Sequence, residues 1–218
     1  MRFNIHKFIL LIYVCAFLAL LSFSAKAAVN YIGEDIDTKG NWKSKYGALG
    51  AVLFDQRGDQ ELPGKIDEYE LINVQYWNDP PGAVWEDERA PLSIDAPEER
   101  HAGVIFNTIP FYVNLKMSVD NYQVAFYFWD WNEQSRITDV IAYVGDEPPD
   151  KQSDVTIEGD NHINGVYEIW EIAGSKTVSF RFSHTSGVNS MVMGFFVNGP
   201  EAVSSSGKLT TQWGNLKQ

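Results

Sequence analysis

Tryptophans next to amide, carboxylate and guanidinium side chains are the feature of this sequence that could carry chemistry. A flat aromatic ring can stack on the apolar face of a pyranose, and planar polar groups at a loop site can bond its hydroxyls. The candidate binding residues are Trp42, Tyr46, Trp77, Trp85, Asp87, Arg89, Trp131 and Asn132. Large aromatic residues also form the usual core of a β domain, which is the favoured interpretation for Trp42 and Tyr46. Trp77 and Trp85 border a Pro-rich segment, where a binding role and a structural role are equally open.

Asp130 follows a run of inward-facing residues, and a buried carboxylate needs a partner. Arg136 lies one short turn further on, so we expect Asp130 and Arg136 to form a structural pair that fixes the turn. Asp35 with Asp37, and Asp130 with Asn132, have a spacing of two that occurs among the oxygen ligands of calcium. The sequence has no complete D-x-D-x-D-G calcium loop. It therefore indicates that no cofactor is required and leaves a structural calcium ion open.

Catalytic motifs are missing from the sequence. It has no H-E-x-x-H, no G-x-S-x-G and no Gly-rich phosphate loop. The histidines that follow the N-terminal region, His101, His162 and His184, are isolated from one another. We therefore expect a protein that is not an enzyme, although an acidic chain always offers carboxylate pairs of the kind that hydrolyse glycosides.

Short β-branched and aromatic runs, separated by Gly, Pro, Asn and Asp, predict an antiparallel sandwich or barrel. The predicted strands are Ala51–Phe54, Tyr69–Tyr76, Gly103–Phe106, Tyr112–Met117, Asn121–Trp131, Ile137–Val144, Val166–Ile172, Thr177–Ser183 and Met191–Val197. Thr177–Ser183 alternates apolar and polar residues, as expected of a half-buried strand. Asn121–Trp131 is apolar on both faces, which predicts a central strand with cover on both sides. Asp79–Glu99, rich in Pro and acidic residues, is expected to be a long surface loop.

The N-terminus has the order of a secretory signal peptide. Arg2 and Lys7 precede the apolar run Phe8–Phe23, and Ala25 and Ala27 then give an A-x-A cleavage site. That run of 16 residues is shorter than the roughly 20 that a membrane-spanning helix needs. Cleavage after Ala27 divides the chain into a signal peptide (1–27), a β domain (28–199) and a flexible tail (200–218). We therefore expect a secreted protein, either extracellular or periplasmic.

Charge and cysteine content limit the partners of the exported domain. Cleavage removes Arg2, Lys7, Lys26 and the single cysteine, Cys15, and changes the formal charge from −12 to −15. Nucleic acids and anionic membrane surfaces attract Lys and Arg, so neither is expected as a partner once the signal is cleaved. The exported domain has no disulfide and must be held together by its core.

Several motifs occur in a familiar order along the chain. They are Thr38–Gly47 with Gly50–Phe54, Trp85–Arg89, Arg100–Gly103, Val124–Asn132 with Arg136, Gly165–Tyr167 and Asn189–Phe196. From Tyr31 to Asn198 the sequence resembles the galactose-binding-like, carbohydrate-binding-module type of β-sandwich found in secreted bacterial proteins. The resemblance implies a jelly-roll sandwich, here preceded by a cleaved signal helix, that binds a poly- or oligosaccharide without catalysing a reaction.

Two other functions stay open. The acidic surface and the loop aromatics equally suit a structural or adhesive domain that binds other envelope proteins. A jelly-roll polysaccharide hydrolase or lyase has the least support, because no particular group of catalytic side chains stands out in the sequence.

Overall fold

The apolar run at Asn121–Phe128 forms strand β8, around which the fold is arranged. Every residue of β8 after Asn121 is buried, on both faces of its sheet. The structure, a computed structural model, describes residues 27–55, 57–78, 85–145, 155–157 and 162–200. Within these ranges the protein is all-β with antiparallel sheets and has a β-sandwich-like architecture. The prediction of a central strand with cover on both sides is confirmed.

The described strands form three antiparallel sheets. The six-stranded sheet has the order β1 (Ala28–Asp35), β11 (Val166–Ala173), β8, β14 (Gly194–Asn198), β2 (Gly50–Leu53) and β3 (Gln60–Leu62). The five-stranded sheet has the order β10 (Val155–Ile157), β9 (Ile137–Val144), β12 (Thr177–Ser186), β7 (Phe111–Met117) and β4 (Ile66–Ile72). The three-stranded sheet has the order β13 (Ser190–Val192), β6 (Gly103–Asn107) and β5 (Gln75–Asn78). The described residues also form two short 3-10 helices, at Trp42–Ser44 and His162–Asn164.

The main core lies between the six-stranded and five-stranded sheets. Phe126 of β8 is near its centre, and its ring contacts Trp170, Phe180, Phe182 and Phe195 at centroid distances of 4.7–6.0 Å. Phe180 and Phe182 belong to β12, whose alternation therefore places its aromatic side chains inward, as predicted from the sequence. Burying this many aromatic rings, at about 25 cal/mol per Å² of apolar surface, is the main source of stability for a chain without disulfides.

A second apolar cluster covers the opposite face of the six-stranded sheet. It joins sheet residues such as Tyr127 and Tyr167 to Trp42 and Tyr46, which come from the loop after β1. The rings of Tyr46 and Tyr167 stack at 4.3 Å with an interplanar angle of 20°. This sheet is therefore buried on both faces, one against the five-stranded sheet and one against loops and part of the three-stranded sheet.

The structure differs from the sequence prediction at several places, and the strands β1, β3 and β10 were not predicted. The run Tyr69–Tyr76 is two strands in different sheets, because Asn73, with φ of 57°, breaks the extended backbone between β4 and β5. Met191–Val197 is likewise divided between β13 and β14. The described part of the expected surface loop, 85–99, has only an isolated bridge, Leu92 to Arg100, and it buries Ala90 and Ser93. This segment is thus a cover for the sheet as well as a loop.

Some expectations concern residues outside the described ranges. The signal peptide up to residue 26, the start of the Pro-rich segment at 79–84 and the tail from 201 onward lie there. Within the described ranges, no helix has both the length and the apolar character needed to cross a membrane.

Candidate functional site

The face of the three-stranded sheet that packs on the second apolar cluster also forms the floor of a cleft, where Trp77 and Phe106 are accessible. Trp77 of β5 pairs with Val104 of β6, and Phe106 of β6 pairs with Met191 of β13. Directly paired residues of antiparallel strands project from the same face, so these four side chains lie together. The residues between them, Tyr76, Ile105 and Val192, pack instead against the main core.

The rim of the cleft is the loop between β8 and β9, and Asp130 holds that loop in place. The Asp130 carboxylate is fully buried and accepts hydrogen bonds from the backbone N–H groups of Gln134 (3.2 Å) and Arg136 (3.1 Å). It also accepts one from Nη1 of Arg136, whose residue is 5 % exposed. Asp130 and Arg136 are therefore joined as the sequence suggested, and their pairing shapes the turn.

Trp131, on this rim, stacks against Trp77 from the sheet floor. The two ring centroids are 4.7 Å apart with an interplanar angle of 19°, and Trp77 is 38 % exposed. The guanidinium of Arg136 lies 5.5 Å from the centroid of Trp131, within the range of a cation–π contact. Two aromatic rings far apart in the sequence thus form one stacked pair at the surface.

Two asparagines orient the guanidinium of Arg136 in the cleft. Nε of Arg136 donates to Oδ1 of Asn189 at 2.9 Å, and Nη1 donates to Oδ1 of Asn132 at 2.5 Å. The cleft has a volume of about 190 Å³. We refer to the site built by Trp77, Val104, Phe106 and Met191 with Trp131, Asn132, Arg136 and Asn189 as the Trp77–Trp131 cleft.

Trp42 and Tyr46, two of the binding residues predicted from the sequence, lie away from this cleft. They are 2 % and 3 % exposed, and Trp42 Nε1 donates to the carbonyl of Leu92 at 2.7 Å. Neither ring has an accessible face on which a pyranose could stack. We therefore exclude both from the candidate site, because their aromatic surface is used in covering the six-stranded sheet.

Asp87 and Arg89 bind each other, and Arg89 also binds a backbone carbonyl of a distant segment. Nε and Nη2 of Arg89 donate to the Asp87 carboxylate at 2.9 and 2.6 Å, and Nη1 donates to the carbonyl of Ile163 at 3.0 Å. These hydrogen bonds from Arg89 hold the pKa of Asp87 below its usual range. Arg89 also lies 5.2 Å from the ring centroid of Trp129, against whose ring Trp85 packs edge-on at 5.2 Å. These residues fasten the covering segment to the sheet, so we assign Asp87, Arg89 and Trp85 a structural role.

The two pairs considered for calcium are already occupied by hydrogen-bond donors. The Asp35 carboxylate accepts from Thr38 Oγ1, Lys45 Nζ and Tyr46 Oη at 2.6–2.8 Å. Asp130 and Asn132 both accept from Arg136, as described above. Among the described residues, no three His, Cys, Asp or Glu side chains are grouped as metal ligands would be. The geometry therefore offers no support for calcium at either pair.

A larger cleft of about 510 Å³ lies between the edge strands β3 and β4. Its lining includes the carboxylates of Asp59 and Glu61, which both accept a hydrogen bond from the hydroxyl of Tyr69 at 2.9 and 3.0 Å. Burial is the main reason that the pKa of Asp59 is raised. The Tyr69 ring packs edge-on against Phe195 of the main core. We prefer the Trp77–Trp131 cleft as the binding site, because it has an exposed ring and oriented donors.

Half of the residues of the Trp77–Trp131 cleft are not predictable from the sequence. Val104, Phe106 and Met191 have the pattern of ordinary strand residues, and Asn189 lies in a motif without an assigned role. Val104, Phe106 and Met191 share one face of the three-stranded sheet and Asn189 directly precedes β13, a placement that appears only once β5, β6 and β13 are paired. No local signal in the sequence marks that pairing.

Comparison with known proteins finds no relative: no protein-family model matches the sequence, no curated protein matches it, and no solved structure matches the fold. The fold and the site geometry therefore carry the functional argument alone.

Proposed function

We propose that the protein is an exported, non-catalytic carbohydrate-binding module of the jelly-roll, galactose-binding-like type. Its ligand is a poly- or oligosaccharide bound in the Trp77–Trp131 cleft, and no cofactor is required. Strand β11 lies in the six-stranded sheet, β12 in the five-stranded sheet, and β14, after β13 of the three-stranded sheet, again in the six-stranded sheet. These crossings between the two large sheets support the jelly-roll assignment. The proposed export rests on the N-terminal sequence.

The observation that carries this proposal is the stacked pair of Trp77 and Trp131 beside oriented hydrogen-bond donors. An exposed indole offers a flat apolar surface to the C–H groups of a pyranose, and fixed polar groups orient the sugar. Because Asp130 holds Arg136, and Arg136 holds Asn132 and Asn189, the polar side of the cleft is ordered before a ligand arrives. Such preorganisation reduces the entropy lost on binding.

Affinity electrophoresis through gels that contain neutral or acidic polysaccharides tests the proposal. We expect at least one polysaccharide to retard the wild-type protein. Trp77→Ala should weaken that binding at least tenfold, about 1.4 kcal/mol, because it removes the stacking surface. Trp77→Phe retains an aromatic ring and should lose less.

The matched control is Ile36→Ala, which truncates an exposed apolar side chain outside the cleft (56 % exposed) and should bind like the wild type. Melting temperatures of all variants show whether each is folded. Absence of retardation by every polysaccharide would contradict the proposal, as would Trp77→Ala binding with unchanged affinity.

A second candidate function is a protein-binding domain. Ile109 and Val188 are 55 % and 47 % exposed on the turns next to the paired residues Asn107 and Ser190. Exposed apolar side chains on adjacent turns can form a contact surface for another protein. Pull-down from an envelope fraction with the wild-type protein and with Ile109→Ser tests this function. If the protein binds a partner through these turns, Ile109→Ser should capture less of that partner than the wild type does.

A further inference from the structure

The polar side chains that line the Trp77–Trp131 cleft offer hydrogen-bond donors. A guanidinium can only donate, so the oxygens of Asn132 and Asn189 must face Arg136, and their Nδ2 groups face away from it. Nη2 of Arg136 has no hydrogen-bond partner among the described residues. The indole nitrogens of Trp77 and Trp131 are donors as well. A ligand that fits this lining must therefore supply acceptors.

Charge argues against an anionic ligand as the source of those acceptors. The buried carboxylate of Asp130 compensates the charge of Arg136 within the site itself. The whole chain has a formal charge of −12, which repels anions approaching through solvent. A neutral acceptor group therefore suits this cleft better than the anionic group of a uronate or a sulfate.

The floor of the cleft adds a preference for a small apolar group. The partly exposed Phe106 lines the cleft together with the donors, and Val104 and Met191, which are 1 % and 3 % exposed, add apolar surroundings. A volume of about 190 Å³ is below the roughly 300–1,000 Å³ of pockets for drug-sized ligands, so the site fits part of a saccharide chain. A neutral carbonyl that carries a methyl group satisfies both the donors and the floor.

We propose that the cleft recognises the acetamido group of an N-acetylated amino sugar. The carbonyl oxygen accepts from the N–H groups of Arg136, Asn132 or Asn189, the methyl group contacts the partly exposed ring of Phe106, and the sugar ring stacks on Trp77. This inference rests on the proposed carbohydrate-binding function and specifies the class of sugar.

Isothermal titration calorimetry with two matched hexasaccharides tests the inference. Chitohexaose and cellohexaose share a β-1,4-linked glucose backbone and differ at C2, where one has an acetamido group and the other a hydroxyl. One or two additional hydrogen bonds to the carbonyl predict that chitohexaose binds about 5- to 50-fold more tightly. The de-N-acetylated hexamer, measured at high salt to screen its positive charge, should lose this advantage.

The outcomes separate this inference from the proposed function. Equal binding of both hexasaccharides, tighter binding of cellohexaose, or binding of oligogalacturonate alone would overturn the acetamido assignment and leave carbohydrate binding intact. If the protein binds none of these oligosaccharides and no polysaccharide in the gels, both the acetamido assignment and the proposed carbohydrate binding are overturned.

Asn189→Asp and Asn132→Asp test the donors directly. Each substitution retains an oxygen for Arg136 and replaces the Nδ2 donor by a second oxygen. We expect either to weaken chitohexaose binding about 3- to 10-fold and to affect cellohexaose less. Asn164→Asp makes the same change of charge at an exposed position and should leave affinity unchanged. Melting temperatures confirm that the variants are folded, and equal losses for both hexasaccharides would contradict the inference.

Discussion

Asp35 ties the loop that covers the six-stranded sheet to the end of β1, and its replacement by Asn gives a quantitative test of the fold. The residue is 7 % exposed. Its carboxylate accepts hydrogen bonds from the backbone of Asp37 and Thr38 at 3.0 and 3.1 Å, and from the side chains of Thr38, Lys45 and Tyr46. Burial alone would raise the pKa of Asp35, but the hydrogen bonds from Lys45, Thr38 and Tyr46 outweigh it and lower the pKa to about 2.

A pKa lowered from 3.8 to about 2 corresponds to about 2 kcal/mol of stability at neutral pH. Because the folded state has the lower pKa, this contribution is fully present above about pH 4 and is lost as the pH falls towards 2. Asp35→Asn removes the negative charge of the side chain. It also replaces one carboxylate oxygen by an NH₂ group, which cannot accept a hydrogen bond from the surrounding donors. We therefore expect a loss of at least about 2 kcal/mol in the free energy of unfolding at pH 7.

Urea denaturation of the wild type and of Asp35→Asn, followed by tryptophan fluorescence between pH 7 and pH 2, measures this quantity. The difference between the two proteins should shrink as the pH falls from about 4 to 2. Asp37→Asn is the matched control, because Asp37 is exposed and donates only its backbone N–H to Asp35. A difference below about 0.5 kcal/mol at pH 7, or an equal loss in Asp37→Asn, would show that the Asp35 carboxylate does not hold this loop.

Two further predictions concern the core and the loop between β8 and β9. Phe126→Ala should lower the free energy of unfolding by about 3–5 kcal/mol, because it opens a cavity among four aromatic rings, and a loss below about 1 kcal/mol in urea would contradict this placement. Arg136→Met leaves the buried Asp130 carboxylate without its counter-charge and should cost about 3–5 kcal/mol at pH 7. Asp130→Asn in the same chain should recover part of this loss, whereas strictly additive losses in the double-mutant cycle would contradict a direct pair.

The strands with clear periodicity were predictable from the sequence. β9 has the predicted bounds, and β7, β8, β11 and β12 differ at their ends by a few residues. Alternation in β12 and two apolar faces in β8 also predicted which faces are buried, because burial follows the period of two in a strand. The break at Asn73 was not predictable, because a single residue in the left-handed region leaves the surrounding β pattern unchanged.

The cleft was less predictable than the strands, because it depends on how distant segments pair. Trp77 and Trp131 were identified as candidate residues, but their stacking requires β5 to pair with β6 beside the loop after β8. Trp42 and Tyr46 are candidates for the same reason, as aromatic residues near predicted loops, and are nevertheless buried. Exposure of an aromatic residue is a tertiary property, so residue type and spacing alone do not separate these cases.

Titration of ¹⁵N-labelled protein with chitohexaose and then cellohexaose, followed through the indole N–H resonances, shows where a saccharide binds. We expect ligand binding to shift the resonances of Trp77 and Trp131 and to leave those of the buried Trp42 and Trp170 in place. Binding that shifts other indoles while Trp77 and Trp131 stay unchanged would contradict a saccharide site in this cleft.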